Sequence, residues 1–229
     1  MRSPILDVKP APVGAVGLPV RLPDGTAILL RPIVPSDRTR LHRGMAALSA
    51  TARRHRFFTA KDALAEDLVT YLTEIDYQSH FAWVAVDVER EGQPVVAVGR
   101  YVTLDGALAA DARDGFPGSS KVAEIAFVVG DDYQRQGLAT ILLDLLSIVA
   151  AANGIKQFFA RVLDDNLAMR HVLTKAGGKL RLEDAGVLRA TMDVPAPTAR
   201  FSADEVLAIA RSAAREGNLP GRPCVSPDG

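Results

Sequence analysis

Residues 121–152, "KVAEIAFVVGDDYQRQGLATILLDLLSIVAAA", run from a period-two apolar stretch through a polar turn into a long apolar-striped segment. Successive side chains of a strand point to opposite faces. "KVAEIAFVV" therefore sets Val122, Glu124, Ala126 and Val128 on one face and Ala123, Ile125, Phe127 and Val129 on the other. Beyond the turn, Leu138, Ile141, Leu142, Leu145 and Val149 form one continuous helical face. Asn153-Gly154 stops that helix, and "KQFFARVL" follows as a further strand. Strand, helix and strand in this order form a crossover, so the sheet contains at least one parallel pair.

The flanking segments extend the pattern. "TAILLRPIV" (26–34) reads as a buried strand stopped by Pro35, and Ser36 as the N-cap of a helix "DRTRLHRGMAALS". "DALAEDLVTYLTEI" reads as a second helix. "HFAWVAVDV" and "PVVAVGRYVTL" read as a hairpin closed by "EREGQ". Residues 105–120 have turn composition and are expected to form a long loop. "DDNLAMRHVLTKAGG" is a helix with an Asp cap in front and glycines behind, and "GVLRATMDV" is the closing strand. "PAPT" (195–198) is a linker, after which Ser202 and Glu205 start a last helix, "ADEVLAIARSAAR". The expected order is β-α-α-β-β-β-α-β-α-β plus a tail helix. This is an α/β fold with a mixed central sheet flanked by helices and an additional C-terminal helix. Residues 1–19 are expected as a flexible leader, 20–194 as the domain, and 195–229 as linker, helix and tail.

Composition excludes several functions. Hydrophobic residues make up 48% and charged residues 24%, which supports a packed globular core. Lys plus Arg and Asp plus Glu both total 27, so no global field attracts nucleic acid or anionic lipid. Neither nucleic acid nor membrane is an expected partner. The single cysteine, Cys224, and the scattered His42, His55, His80 and His171 suit neither a disulfide framework nor a metal site. "ILLDLLSIVAAA" carries Asp144 and Ser147 and is too short to span a bilayer. "MRSPILDVKPAPVGAVGLPV" is broken by Asp7, Lys9 and prolines and is no secretory signal, so the expected location is cytoplasmic.

The turn "QRQGLA" enters a helix N-terminus, whose free N–H groups and partial positive charge suit a phosphate. Gly137 and Ala139 leave room for close backbone approach, and Gln134, Arg135 and Gln136 can add donors at the rim. Plain structural punctuation explains a lone glycine equally well. The spacing matches neither a Walker A loop nor the three-glycine dinucleotide fingerprint. Gln134-x-x-Gly137-x-Ala139, set between a strand and a long helix, does resemble the Gln/Arg-x-x-Gly-x-Gly/Ala signature of the GNAT acetyltransferases. The likeness covers about residues 20–194. "DGTAILLRPIVPSD", "RRHRFF" and "AEIAFVV" look most like bacterial Pat-type protein lysine acetyltransferases. Neither the cyclic-nucleotide domain nor the ligase-like region that such proteins often carry is expected in this chain.

This resemblance implies a GNAT fold and acetyl-CoA as co-substrate. It places the pyrophosphate on Gln134, Arg135, Gln136, Gly137, Leu138, Ala139 and Thr140. It places the pantetheine arm on backbone freed at Phe127, Val128 and Val129, with Asn166 and Arg170 beyond. Burial alone explains the three strand residues equally well, and Asn166 has the alternative of capping its helix. Many members carry a tyrosine shortly before the last helix's glycine, where it can protonate the departing thiolate. Leu173 holds that position here, leaving the proton to another group, to water, or to none.

Glu124 is the one charge within the apolar alternation from Val122 to Val129. Desolvating a carboxylate is costly unless it is paired or its pKa rises. Amine acetylation needs such a group, because a lysine ammonium with a pKa of about 10.4 must lose its proton before it attacks a thioester. The resemblance makes Glu124 the general base; the plain alternative is a glutamate facing solvent or paired with an arginine. No cysteine or serine nucleophile is expected for direct transfer. "RRHRFF" (53–58) either borders the acceptor site or is a solvated charge run followed by two core anchors. The expected reaction is acetyl transfer to a protein lysine. The rivals are a small-molecule amine acceptor and a silent acyl-CoA-binding module.

Overall fold

A computed structural model describes residues 17–58, 65–112 and 120–217. Strand β1 (Leu18–Arg21) pairs antiparallel with β2 (Ala27–Pro32). The buried ion pair of Arg31 with Asp37, two contacts of 2.6 Å, draws Asp37 into a short 3-10 turn. Helix α1 (Arg38–Ala46) therefore starts after Asp37 rather than after Ser36. Helices α2 (Ala50–Phe57) and α3 (Glu66–Thr73) follow. The antiparallel hairpin of β3 (His80–Asp87) and β4 (Val95–Leu104) comes next. Helix α4 (Gly106–Ala112) precedes β5 (Lys121–Val129). Helix α5 (Leu138–Ala152) crosses to β6 (Ile155–Leu163), which lies parallel to β5. Helix α6 (Leu167–Lys175), the hairpin β7 (Lys179–Asp184) and β8 (Val187–Asp193), and α7 (Ala203–Gly217) complete the chain.

All eight strands form one sheet in the order β1-β2-β3-β4-β5-β6-β8-β7, parallel only between β5 and β6. The apolar stripe of α5 packs across β3 to β6, and α7 packs on α5 and β2. Gly99 on β4 permits this closeness, since a Cβ there would lie about 3.0 Å from Leu142 on α5 and from Phe127 on β5. On the opposite face lie α1, α2, α3 and α4, with Met45, Leu48 and Ala52 packed against Val128 and with Ala112 against Val122 and Phe159.

Four expectations are corrected. The expected leader, residues 1–19, gives way at Leu18, which is buried as the start of β1. The expected loop at 105–120 contains α4, whose Ala-rich sequence forms a helix despite its turn-like composition; residues 113–119 lie outside the described residues. In "RRHRFF", Arg53 to Phe57 end helix α2, which Ser49 caps by accepting from the Ala52 amide at 3.1 Å, and of the two phenylalanines expected as core anchors Phe57 packs inward while Phe58 is exposed. "KLRLED" forms the unforeseen edge strand β7. The start of the expected second helix, residues 62–64, and Cys224 also lie outside the described residues.

Candidate active site

Strand β5 pairs with β4 from Val122 to Val129, but its ladder with β6 stops at the pair Glu124–Phe159. Beyond it β6 pairs only with β8 through Ala160 to Leu163. The two strands thus part at Glu124, and the β5 edge from Ile125 to Val129 faces a wedge. Backbone donors and acceptors on such an edge need partners from elsewhere. The Phe127 ring is core, against α5, and Val128 packs on the α1–α2 cluster. Their side chains are spent on burial, so only their backbone can serve a ligand in the wedge.

The turn after β5 is built from inside. The Gly130 amide donates to Val96 O at 2.8 Å, and a 3-10 turn covers Asp131–Tyr133. Gly137 has φ 87°, a left-handed conformation that side chains disfavour, and no atom lies within 4 Å of where its Cβ would be. Among the described residues no side chain caps α5, which leaves its first-turn amides without a side-chain partner. Leu138 is buried and anchors the helix, Ala139 is half-buried, and Thr140 and Arg135 are exposed. The two glutamines expected as donors at the rim both have protein partners. Gln134 Nε2 donates to Val129 O at 3.2 Å, and Gln136 pairs with Asp24, whose amide reaches Gln136 Oε1 at 3.3 Å. Both glutamines brace the turn.

Across the wedge, Asn166 Oδ1 accepts from the Met169 amide at 3.1 Å. Capping is thus the role on view, with the Asn166 amide nitrogen left over. Arg170 Nη1 donates to Asp164 O at 2.6 Å. Leu173 is fully buried and offers no proton.

Glu124 is half-buried on the face of the sheet that carries α1 to α4. Among the described residues no side chain hydrogen-bonds or ion-pairs its carboxylate. A polar cluster surrounds it without touching. Arg100, diagonal to Glu124 in the ladder, is 4% exposed. Its guanidinium contacts His80 Nε2 at 2.9 Å and donates to Leu72 O at 3.3 Å. A guanidinium can only donate, so His80 accepts at Nε2 and carries its proton on Nδ1. Burial first, then Arg100, pushes the His80 pKa down to about 3. Burial first, then Arg56, lowers Arg100 to about 9. The Tyr71 ring stands 4.9 Å from His80, and burial raises its hydroxyl pKa, helped by Glu124 and opposed by Arg100. Burial lowers the pKa of Arg56 on α2, and Glu124 opposes that shift.

The far wall is Phe159 under two guanidiniums, Arg161 at 4.9 Å and Arg189 at 5.4 Å. Glu183 holds both, accepting from Arg161 at 3.0 and 3.1 Å and from Arg189 at 2.7 Å. Arg161 first, then Arg189, keeps the Glu183 carboxyl below its ordinary range against the opposing effect of burial. Sequence reading overlooked Tyr71, His80 and Arg100. Arg100 had a signal of the same kind as Glu124, a charge on an apolar strand; the other two depend on how α3 lies over the sheet. A cavity of about 300 Å³ lies elsewhere, under α1 at the far end of β5 near Val96, Val128 and Asp131, and Glu124 does not line it. Among the described residues no cluster of His, Cys, Asp or Glu could hold a metal, and no helix is long and apolar enough to cross a membrane.

Comparison with known proteins agrees with this architecture. The chain is 36% identical over 178 residues to the acetyltransferase Pat of Mycolicibacterium smegmatis, covering 78% of itself and 49% of that protein. It thus spans about half the length of that relative. The crystal structure of the GNAT domain of S. lividans PAT superimposes with a TM-score of 0.65 at 30% identity, covering 80% of this chain and 99% of that one. The fold is also shared with yncA of Salmonella typhimurium, solved with its cofactor acetyl-CoA. That match has a TM-score of 0.55 at 13% identity and covers 75% of this chain and 98% of that one. The profile described as "Acetyltransferase (GNAT) domain" matches residues 27–179. With strands that part beside a glycine turn, and with that profile spanning most of its length, the chain belongs to the GNAT acetyltransferase family.

Proposed function

We propose that the chain transfers the acetyl group of acetyl-CoA to a primary amine, the ε-amine of a protein lysine, with Glu124 as general base. The observation that carries this reading is the half-buried carboxylate of Glu124, without a side-chain partner among the described residues, at the point where β5 and β6 part. A carboxylate tied to an arginine would be a poor proton acceptor; this one is free to take a proton directly or through one water. Its neighbours Arg56 and Arg100 place positive charge around an arriving amine, which disfavours the ammonium and favours the neutral nucleophile.

The residues present fit acetyl-CoA. The uncapped first turn of α5, from Gly137 to Thr140, would take the pyrophosphate on its backbone amides, with Arg135 exposed beside them. The free edge of β5 would hold the pantetheine arm through backbone groups of Phe127 to Val129. The Asn166 amide nitrogen and Arg170 would border it on the other lip. When bound, the thioester supplies the acetyl carbon that the amine attacks. Leu173, buried where many members carry a tyrosine, has no proton to give, which would leave protonation of the thiolate to another group, to water, or to none.

The lysine acceptor is supported by the likeness to Pat-type proteins and by the arginine-rich surround, which is unfavourable for a polyamine. The test is incubation with isotope-labelled acetyl-CoA and a cytosolic lysate, read by mass spectrometry. Label on protein lysines, absent with Glu124→Gln, supports the reading. Label only on small amines sinks the lysine assignment, and label on nothing sinks the enzyme.

A further inference from the structure

Helix α2 is weakly seated by packing. Its single buried residue is Ala52, which belongs to a small cluster separate from the main core. Polar contacts fix its two ends instead, and each contact reaches a different lip of the wedge. At the N-terminus, Asp131 on the β5 lip accepts from Ser49 Oγ at 2.7 Å and from the Ser49 amide at 2.8 Å. At the C-terminal end, Asp165 on the β6 lip accepts from Arg54 Nη1 at 2.5 Å and contacts His55 Nε2 at 3.1 Å. The Arg54 hydrogen bond keeps the Asp165 carboxyl below its ordinary range, so it is an acceptor and His55 donates. Asp131 opens the turn that leads to Gly137, and Asp165 directly precedes Asn166.

We propose that Asp131 and Asp165 are positioning residues that latch α2 to both lips of the β5–β6 wedge, so that filling the wedge orders the helix that carries Arg56 over the acceptor face. Strands that have parted at Glu124 are joined above it, among the described residues, by this helix. A ligand that sets the separation of the lips also sets the geometry of both latches. Acetyl-CoA and the acceptor are then coupled, and by linkage each tightens the other. The inference rests on the proposed placement of acetyl-CoA in the wedge, and a prior binding measurement separates the two.

The Asp165 latch is exposed, and an isolated surface ion pair contributes little to stability, so a variant lacking it should fold normally. The experiment is amide hydrogen exchange of α2 with and without acetyl-CoA, in the wild type, in Arg54→Gln/His55→Asn and in the conservative Arg54→Lys. Calorimetry with acetyl-CoA comes first, and absence of binding by the wild type overturns the cofactor placement and the coupling together. Given binding, the expected result is that acetyl-CoA slows exchange at Arg53 to Phe57 about tenfold in the wild type. At saturating acetyl-CoA the slowing is expected to fall below about twofold in the double variant, with acetyl-CoA affinity weakened by about the same tenfold factor through linkage, and both are expected to return in Arg54→Lys. Equal slowing in wild type and double variant, or no slowing in the wild type with acetyl-CoA bound, overturns the latch while leaving the proposed transfer chemistry standing.

Discussion

Glu124 and Arg100 are neighbours in the ladder, and each is a charge on an apolar strand, yet they differ in one respect. Arg100 gives one donor to His80 and one to the Leu72 carbonyl, while the Glu124 carboxylate has no side-chain partner among the described residues. The buried His80–Arg100 contact carries a pH signature. The folded pKa of His80, about 3, is below its ordinary 6.5, so the unfolded chain binds the extra proton between those values. Stability from this group is full above pH about 6.5 and is lost as pH falls toward 3. Denaturant unfolding of His80→Gln should therefore lose less stability between pH 7 and 4 than the wild type; equal losses would remove His80 from the account. At Gly137, φ 87° strains any other residue by about 1–2 kcal/mol. Gly137→Val should weaken acetyl-CoA at least tenfold in calorimetry, and an unchanged affinity would remove the turn from the cofactor site. Glu124 was legible because it is a lone charge in a strand that is otherwise apolar on both faces. Arg56 had no such signal: its place beside Glu124 depends on how α2 docks, a tertiary fact.

At the scale of elements, β5, α5 and β6 were readable because their periodicity persists over nine or more residues each. The elements that escaped are short or marginal. Strand β1 has four residues at the end of a Pro- and Gly-rich stretch, β7 is an exposed edge with Leu182 facing solvent, and α4 is seven residues of Gly, Ala and Asp with one Leu. The tail helix was recognised, but where it rests was not. Its seat is a fold-wide contact: buried Asp144 on α5 accepts from the Thr198 amide at 2.8 Å and also from its hydroxyl. Asp144→Ala removes the two hydrogen bonds that hold Thr198 to a charged acceptor and should cost about 1–3 kcal/mol of unfolding free energy. It should also make the chain after Val194 more open to protease. Unchanged stability and cleavage would mean that α7 is held by its apolar face alone.

In the whole molecule, one sheet behaves as two. The antiparallel part, β1 to β5, and the smaller part, β6 to β8, share only the pairs from Lys121–Ile155 to Glu124–Phe159. The helix between β5 and β6 announced a parallel crossover in a mixed sheet. No local pattern showed that β8 would pair with β6 ahead of β7, or that the parallel ladder would stop at Glu124, because both depend on long-range registry. That stop leaves a strand edge without a β6 partner next to Glu124, whose carboxylate has no side-chain partner among the described residues, and the same strand leads through the turn to the start of α5. The most direct test of this account is single-turnover transfer from saturating acetyl-CoA to an amine acceptor identified in the lysate experiment, comparing wild type with Glu124→Gln. A general base contributes about 10²–10⁴-fold, so the variant should slow by at least a hundredfold while binding acetyl-CoA as tightly as the wild type. Transfer at an undiminished rate by Glu124→Gln would contradict the central claim.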